Sequence, residues 1–188
     1  MRYAIWLMVA ALPLLHGCAP LIFGGAAATG VLVGEDRRTV GTMTEDQGIE
    51  RRASNRIGDA LKGNIHLNVT SYNRAVLITG EVPDAASKEQ AGRIARAVEN
   101  VRVVYNEIAI APVTPLSSRT ADTIITSRVK ARFLDAQKFS AVHVKVVTEA
   151  GVVYLMGLVR KQEADEATAI ARNTPEVRRV VRIFEYLD

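Results

Sequence analysis

Val76-Leu77-Ile78-Thr79-Gly80-Glu81-Val82 recurs 77 residues further on as Val153-Tyr154-Leu155-Met156-Gly157-Leu158-Val159. Both runs are rich in β-branched and aliphatic residues and carry a glycine at the fifth position, a composition that suits a strand. The likeness continues downstream. Arg93-Ile94-Ala95-Arg96 matches Ala169-Ile170-Ala171-Arg172, and Val101-Arg102 matches Val177-Arg178, both at a spacing of 76. Upstream, Ala53, Ile57 and Leu61 match Ile125, Val129 and Phe133 at a spacing of 72, which assigns the offset to a longer loop over residues 135–141 of the second copy. A self-match that keeps its order over such a length is an internal repeat. The chain therefore reads as two copies of one domain, residues 46–112 and 118–188. Between them, residues 113–117 form a linker that Pro112 and Pro115 make short and stiff.

Each copy shows one order of elements. In the first, Ala53, Ile57, Ala60 and Leu61 recur at helical spacing, residues 67–69 and 75–82 read as strands around a turn at Asn73, and Ile94, Ala95 and Val98 mark a second helix over 86–99. A third strand follows at 103–110. In the second copy the turn is Glu149-Ala150-Gly151, the later helix covers about 162–173, and the last strand covers 180–186. The expected fold class is α+β: two tandem αββαβ units, each a three-stranded mixed sheet with both helices on one face. The first two strands make an antiparallel hairpin, and the third joins through a crossover.

The N-terminus sets the compartment. Met1-Arg2 supplies one positive charge, residues 3–15 are almost uninterruptedly apolar, and Leu15-His16-Gly17-Cys18 closes the run with the only cysteine of the chain. This is the layout of a secretory signal, too short to span a bilayer. Leu15 and Gly17 place Cys18 as in the lipobox of bacterial lipoproteins, whose cysteine is acylated and becomes the mature N-terminus; His16 departs from that pattern. An uncleaved anchor and a buried structural cysteine are the alternatives. By resemblance to known lipoproteins, Ala19 after the cysteine favours the outer membrane over retention at the inner one. Residues 1–17 are then signal peptide, 18–45 a lipidated tether rich in glycine and small residues, and the remainder periplasmic. Two or three acyl chains anchor durably, at about 0.8 kcal/mol per buried methylene. A single cysteine excludes an intrachain disulfide framework.

The repeat of helix, strand, Val-x-Leu-x-Gly-x-Val strand, Ile-Ala helix and final valine-rich strand resembles the BON domain. Two copies behind a lipobox resemble the dual-BON outer-membrane lipoproteins, most clearly at Val69-Thr70-Ser71-Tyr72, Val104-Tyr105-Asn106-Glu107-Ile108 and residues 153–159. The resemblance implies binding of anionic phospholipid, chiefly phosphatidylglycerol, through the first helix of the second domain. It also implies accumulation at division sites, a role in envelope integrity, and no catalysis. The family pattern carries an aromatic residue where Ile124 stands, so the resemblance implies weaker interfacial anchoring here.

The residues lead to the same helix. At the spacing of 72, outward Arg52, Arg56, Asp59 and Lys62 of the first copy become Ile124, Arg128, Ala131 and Leu134. Ile124, Ala131 and Leu134 cannot all reach a core already served by Ile125, Val129 and Phe133 on the other side of the helix. An aliphatic strip beside Arg128 and Lys130, with Thr120 and Ser127 on the same face, suits an anionic membrane interface. The second copy is also the more basic, 12 Lys/Arg against 9 Asp/Glu, compared with 9 against 8 in the first. The alternative is that this strip packs on the first domain or on a protein partner of the cell envelope.

Other chemistry finds little support. His66 stands at a strand start, His143 alternates with Val142 and Val144 on an outward strand face, and neither lies at metal-ligand spacing. Glu163, Asp165 and Glu166 open a helix, where carboxylates offset its dipole. Gly80 and Gly157 read as structural glycines, packing or bulge sites under a helix. A sequence pI of 9.4 could suggest nucleic acid, but the net charge is only +4 and Lys/Arg do not cluster with aromatics. The sequence thus predicts no enzyme, no cofactor, no metal and no nucleic-acid partner.

Overall fold

The computed structural model describes residues 36–63 and 65–188. The first half runs α1 (Val40–Ala60), β1 (His66–Tyr72), β2 (Ala75–Val82), α2 (Ala85–Arg96), β3 (Val103–Asn106) and β4 (Ala109–Ile110). The second runs α3 (Leu116–Ala136), a 3-10 turn (Ala141–His143), β5 (Val144–Glu149), β6 (Val152–Val159), α4 (Lys161–Arg172) and β7 (Arg179–Tyr186). In each half the hairpin is antiparallel and the last strand lies parallel to the hairpin's second strand. The expected third strand of the first copy is broken into β3 and β4, because Ile108 turns into the core between them.

A buried aspartate fixes the register of each helix. Asp46, Ile49, Ala53 and Ile57 face inward from α1; Asp122, Ile125, Val129 and Phe133 do so from α3. The two sets are related by 76 residues, so the expected spacing of 72 is one helical turn out. The connection to the hairpin is one residue longer in the second copy, in place of the longer loop expected over 135–141. Each carboxylate grips the tight turn above it. Asp46 accepts from Asn73 N and Arg74 N, both at 2.8 Å, and Asp122 from Ala150 N at 2.9 Å and Gly151 N at 2.8 Å. These turns have positive φ at both central residues, including Arg74 (62°) and Ala150 (49°), a conformation that side-chain-bearing residues disfavour. Charge-assisted bonds to both turn amides hold it there.

Helix boundaries also differ from expectation. Thr39 caps α1 by accepting from Thr42 N at 3.1 Å, so the helix begins six residues before the expected domain boundary at 46, and residues 36–45 are not tether. Similarly, Pro115 with φ −59° is preset for the start of α3, which takes residues 116 and 117 from the expected linker.

Strand alternation divides the apolar residues into distinct cores. Val76, Ile78 and Val82 of β2 pack under α1 and α2; Val153, Leu155 and Val159 of β6 pack under α3 and α4. The intervening residues form a third cluster in which Tyr72, Ala75 and Leu77 of the first sheet meet Tyr154, Met156, Leu158 and Ile183 of the second. The two sheets therefore face each other, leaving helices on the two outer layers. This explains why β2 is buried along its whole length and β6 almost so. Polar contacts rim the seam: Lys145 with Glu50 at 2.8 Å, Tyr72 Oη donating to His143 O at 3.3 Å, and Arg102 with Glu185. Residues 36–38 run across it. Arg37 donates to Leu158 O at 2.8 Å and to both Glu163 oxygens, while Arg38 pairs with Asp36 and Asp46 and lies over the Tyr72 ring at 3.8 Å.

The glycines have a different reason from the one expected. A Cβ at Gly80 would lie 2.0 Å from His66 O, and one at Gly157 would lie 2.4 Å from His143 O, so the constraint is a backbone carbonyl of the adjacent strand or turn and not a helix. His143 is likewise not on an outward strand face. It ends the 3-10 turn, with Nδ1 3.7 Å from Glu163 and a largely buried side chain.

Candidate membrane-docking face

The second-copy residues proposed from sequence share the outward face of α3. Thr120, Ile124, Ser127, Arg128, Lys130, Ala131 and Leu134 are all exposed, and Asp122, Ile125, Val129 and Phe133 occupy the opposite side. The apolar members protrude substantially, Ile124 at 44% and Leu134 at 65% exposure. Leu116, 73% exposed at the helix start, extends the same stripe by one turn. The sequence reading places Leu116 in the linker, whereas the helix already begins there. The face does not pack on the first domain, since that contact is made by the sheets. Cys18 lies outside the described residues.

Hydroxyl groups on this face are turned back on the helix. Thr120 donates to Leu116 O at 3.2 Å, Thr123 to Arg119 O at 3.0 Å and Ser127 to Thr123 O at 3.0 Å. Donors already satisfied in this way resist desolvation less than free ones. The two cations differ. Arg128 reaches Glu176 at 2.8 Å in an exposed pair, which contributes little, whereas Lys130 has no ion partner among the described residues. In the 76-residue register, the matching positions of α1 are Val40, Thr44, Gly48, Arg51, Arg52, Ser54, Asn55 and Gly58. Isoleucine and leucine in the second copy thus replace glycines in the first, a correction to the arginine and lysine counterparts expected from the spacing of 72.

Among the described residues no helix is long and apolar enough to cross a membrane. No cluster resembling a catalytic nucleophile and base occurs on this face.

Comparison with known proteins agrees with the repeat. The sequence matches the BON domain over residues 45–112 and again over 121–187. It is 35% identical to the outer membrane lipoprotein DolP of Haemophilus influenzae, over 93% of this chain and 91% of that one. It is also 35% identical to the 21 kDa hemolysin of Actinobacillus pleuropneumoniae, over 81% and 79% of the two chains. With the osmotically-inducible protein Y of Escherichia coli it shares 30% identity over 81% and 78%.

Proposed function

This chain belongs to the BON-domain family, with two copies of the domain, and from that premise we propose that it is an outer-membrane lipoprotein that docks on anionic phospholipid through α3. In this reading Cys18 carries the acyl anchor, residues 36–188 face the periplasm, and the second domain reads the headgroups of phosphatidylglycerol. The role is structural support of the envelope, including at division sites, and no reaction is catalysed. The observation that carries it is the outward stripe of Leu116, Ile124, Ala131 and Leu134, with back-bonded hydroxyls between them and Lys130 at its flank.

The energetics suit a secondary contact. Burying the exposed part of each large aliphatic side chain contributes on the order of 1 kcal/mol, and each cation near an anionic surface adds about 1 kcal/mol. That is a weak interaction alone and an orienting one for a protein already tethered. The test is cosedimentation of residues 36–188 with phosphatidylglycerol vesicles and with phosphatidylcholine vesicles. Binding to the anionic vesicles alone, lost in Ile124→Glu and Leu134→Glu, is the expected result. Equal response to both lipids, or none, overturns lipid recognition.

A second reading is a protein-interaction adaptor. It draws on the outer edge of the first sheet, where Val103, Tyr105 and Ile110 are exposed along strands that, among the described residues, pair only on their β2 side. An extended segment of a partner could add there as a further strand. Recovery of a stoichiometric envelope protein that is lost in Tyr105→Asp would favour it.

A further inference from the structure

At one end of the seam between the sheets, His66, Glu81 and Glu149 bring an imidazole nitrogen and two carboxylate oxygens within 4.8 Å of one another. His66 and Glu81 are cross-strand partners in β1 and β2, and Glu149 comes from β5 of the other domain. The two acids are deeply buried, Glu81 at 3% and Glu149 at 8% exposure.

Hydrogen bonding occupies only part of each carboxylate. Glu149 Oε2 accepts from Thr79 Oγ1 and Asn68 Nδ2, both at 3.0 Å, leaving Oε1 at 4.0 Å from His66 Nε2. Glu81 Oε1 accepts from Thr114 Oγ1 at 3.0 Å, and its Oε2 is buried with no hydrogen-bond partner. Asn68 Nδ2 also approaches His66 Nε2, at 3.4 Å. Two carboxylates at this depth and separation repel each other when ionised, and a cation held between them would offset that repulsion. No Lys or Arg among the described residues comes within ion-pair distance of either. Arg119 and Lys130 line the adjoining groove with His66 and Glu149, but Arg119 donates to Thr114 O at 3.2 Å instead.

We propose that His66, Glu81 and Glu149 form a site for a divalent transition-metal ion of the zinc class, which clips the two domains together. One imidazole and two carboxylates suit such an ion better than calcium or magnesium, which favour all-oxygen shells. Thr114, Thr79 and Asn68 act as the orienting partners that ligating carboxylates require. The groove beside His66 and Glu149, about 450 Å³, gives the ion a path in and room for water at its open position. Ligand atoms around tetrahedral zinc stand about 3.3 Å apart, given bonds near 2.0–2.1 Å. Binding would therefore draw these ligand atoms together by up to about 1.5 Å. This inference is independent of the lipid reading.

The test uses the full chain in detergent, carrying Cys18→Ser to remove the only thiol and no histidine tag, stripped with chelator and titrated with Zn²⁺ by calorimetry. The expected result is one zinc per chain, a higher Tm in zinc than in chelator, and affinity at least about tenfold weaker in both Glu81→Gln and His66→Asn. Circular dichroism of each variant in chelator checks that it remains folded. No stoichiometric uptake, or uptake unchanged in both folded variants, overturns the site. Uptake of Ca²⁺ in preference to Zn²⁺ overturns the assigned class. Chelated protein stabilised by acid and indifferent to zinc would show that the carboxylates share a proton, which also overturns it.

Discussion

Arg37 and Glu163 lie 126 residues apart in sequence, yet both carboxylate oxygens of Glu163 accept from the Arg37 guanidinium, at 2.6 and 2.8 Å. The arginine precedes the first helix of the first domain; the glutamate lies in the opening turn of α4, where it also accepts from Arg160 N at 2.7 Å. The guanidinium beside it holds the Glu163 carboxyl below its ordinary range, against the opposing effect of partial burial. At Asp36, burial pushes the carboxyl up, but the bonds from Arg38 outweigh it and the net shift is downward.

A depressed folded pKa means that these carboxylates stabilise the segment fully above their unfolded values, 4.5 for Glu163 and 3.8 for Asp36, and lose that effect as pH falls through the lower folded values. Amide hydrogen exchange at residues 36–39 should therefore accelerate as pH falls below about 4.5, beyond the intrinsic pH dependence of exchange. Glu163→Gln should give fast exchange already at neutral pH. Arg37→Ala should cost about 1–3 kcal/mol.

Asp122→Ala removes two charge-assisted bonds from a turn whose Ala150 already sits at positive φ. The expected loss is about 2–4 kcal/mol in urea denaturation. Ala150→Gly in the intact background should stabilise by about 1 kcal/mol, because glycine relieves the left-handed conformation.

Gly157→Ala places a methyl against His143 O and should destabilise by about 1–3 kcal/mol. Gly80→Ala should cost more, since its φ of +113° adds backbone strain to a closer clash. Thermal unfolding of the two variants side by side tests the order.

Leu77→Ala and Met156→Ala each empty part of the cluster between the sheets and should cost about 2–5 kcal/mol. The double variant should depart from additivity, because the two residues share one cluster. Its denaturation should separate into two transitions as the domains lose their common face.

The order of elements and the outward face of α3 were legible in the sequence because each is a periodicity within an element, and the repeat was legible because two copies of that pattern keep their order along the chain. The helix register was not. An apolar pattern at i and i+4 matches itself when shifted by one turn, so Ala53, Ile57 and Leu61 imitate Ile49, Ala53 and Ile57. Asp46 and Asp122, 76 residues apart like the later helices, carried the signal that separates the two alignments. The seam between the sheets also left a trace, since Leu77, Tyr154, Met156 and Leu158 make both faces of β2 and β6 apolar, as only two-sided burial requires. His66, Glu81 and Glu149 left none, because their meeting depends on three strands from two domains and on no linear spacing.

Duplication has given this chain two similar halves that are not interchangeable parts. A half released by cutting within residues 113–117 would expose to water the apolar row it now shares, Tyr72, Ala75 and Leu77 on one side or Tyr154, Met156, Leu158 and Ile183 on the other. Such fragments are sticky, and their natural remedy is each other. Separately expressed halves should aggregate alone and reassemble when mixed, so the smallest soluble unit of this protein is the pair.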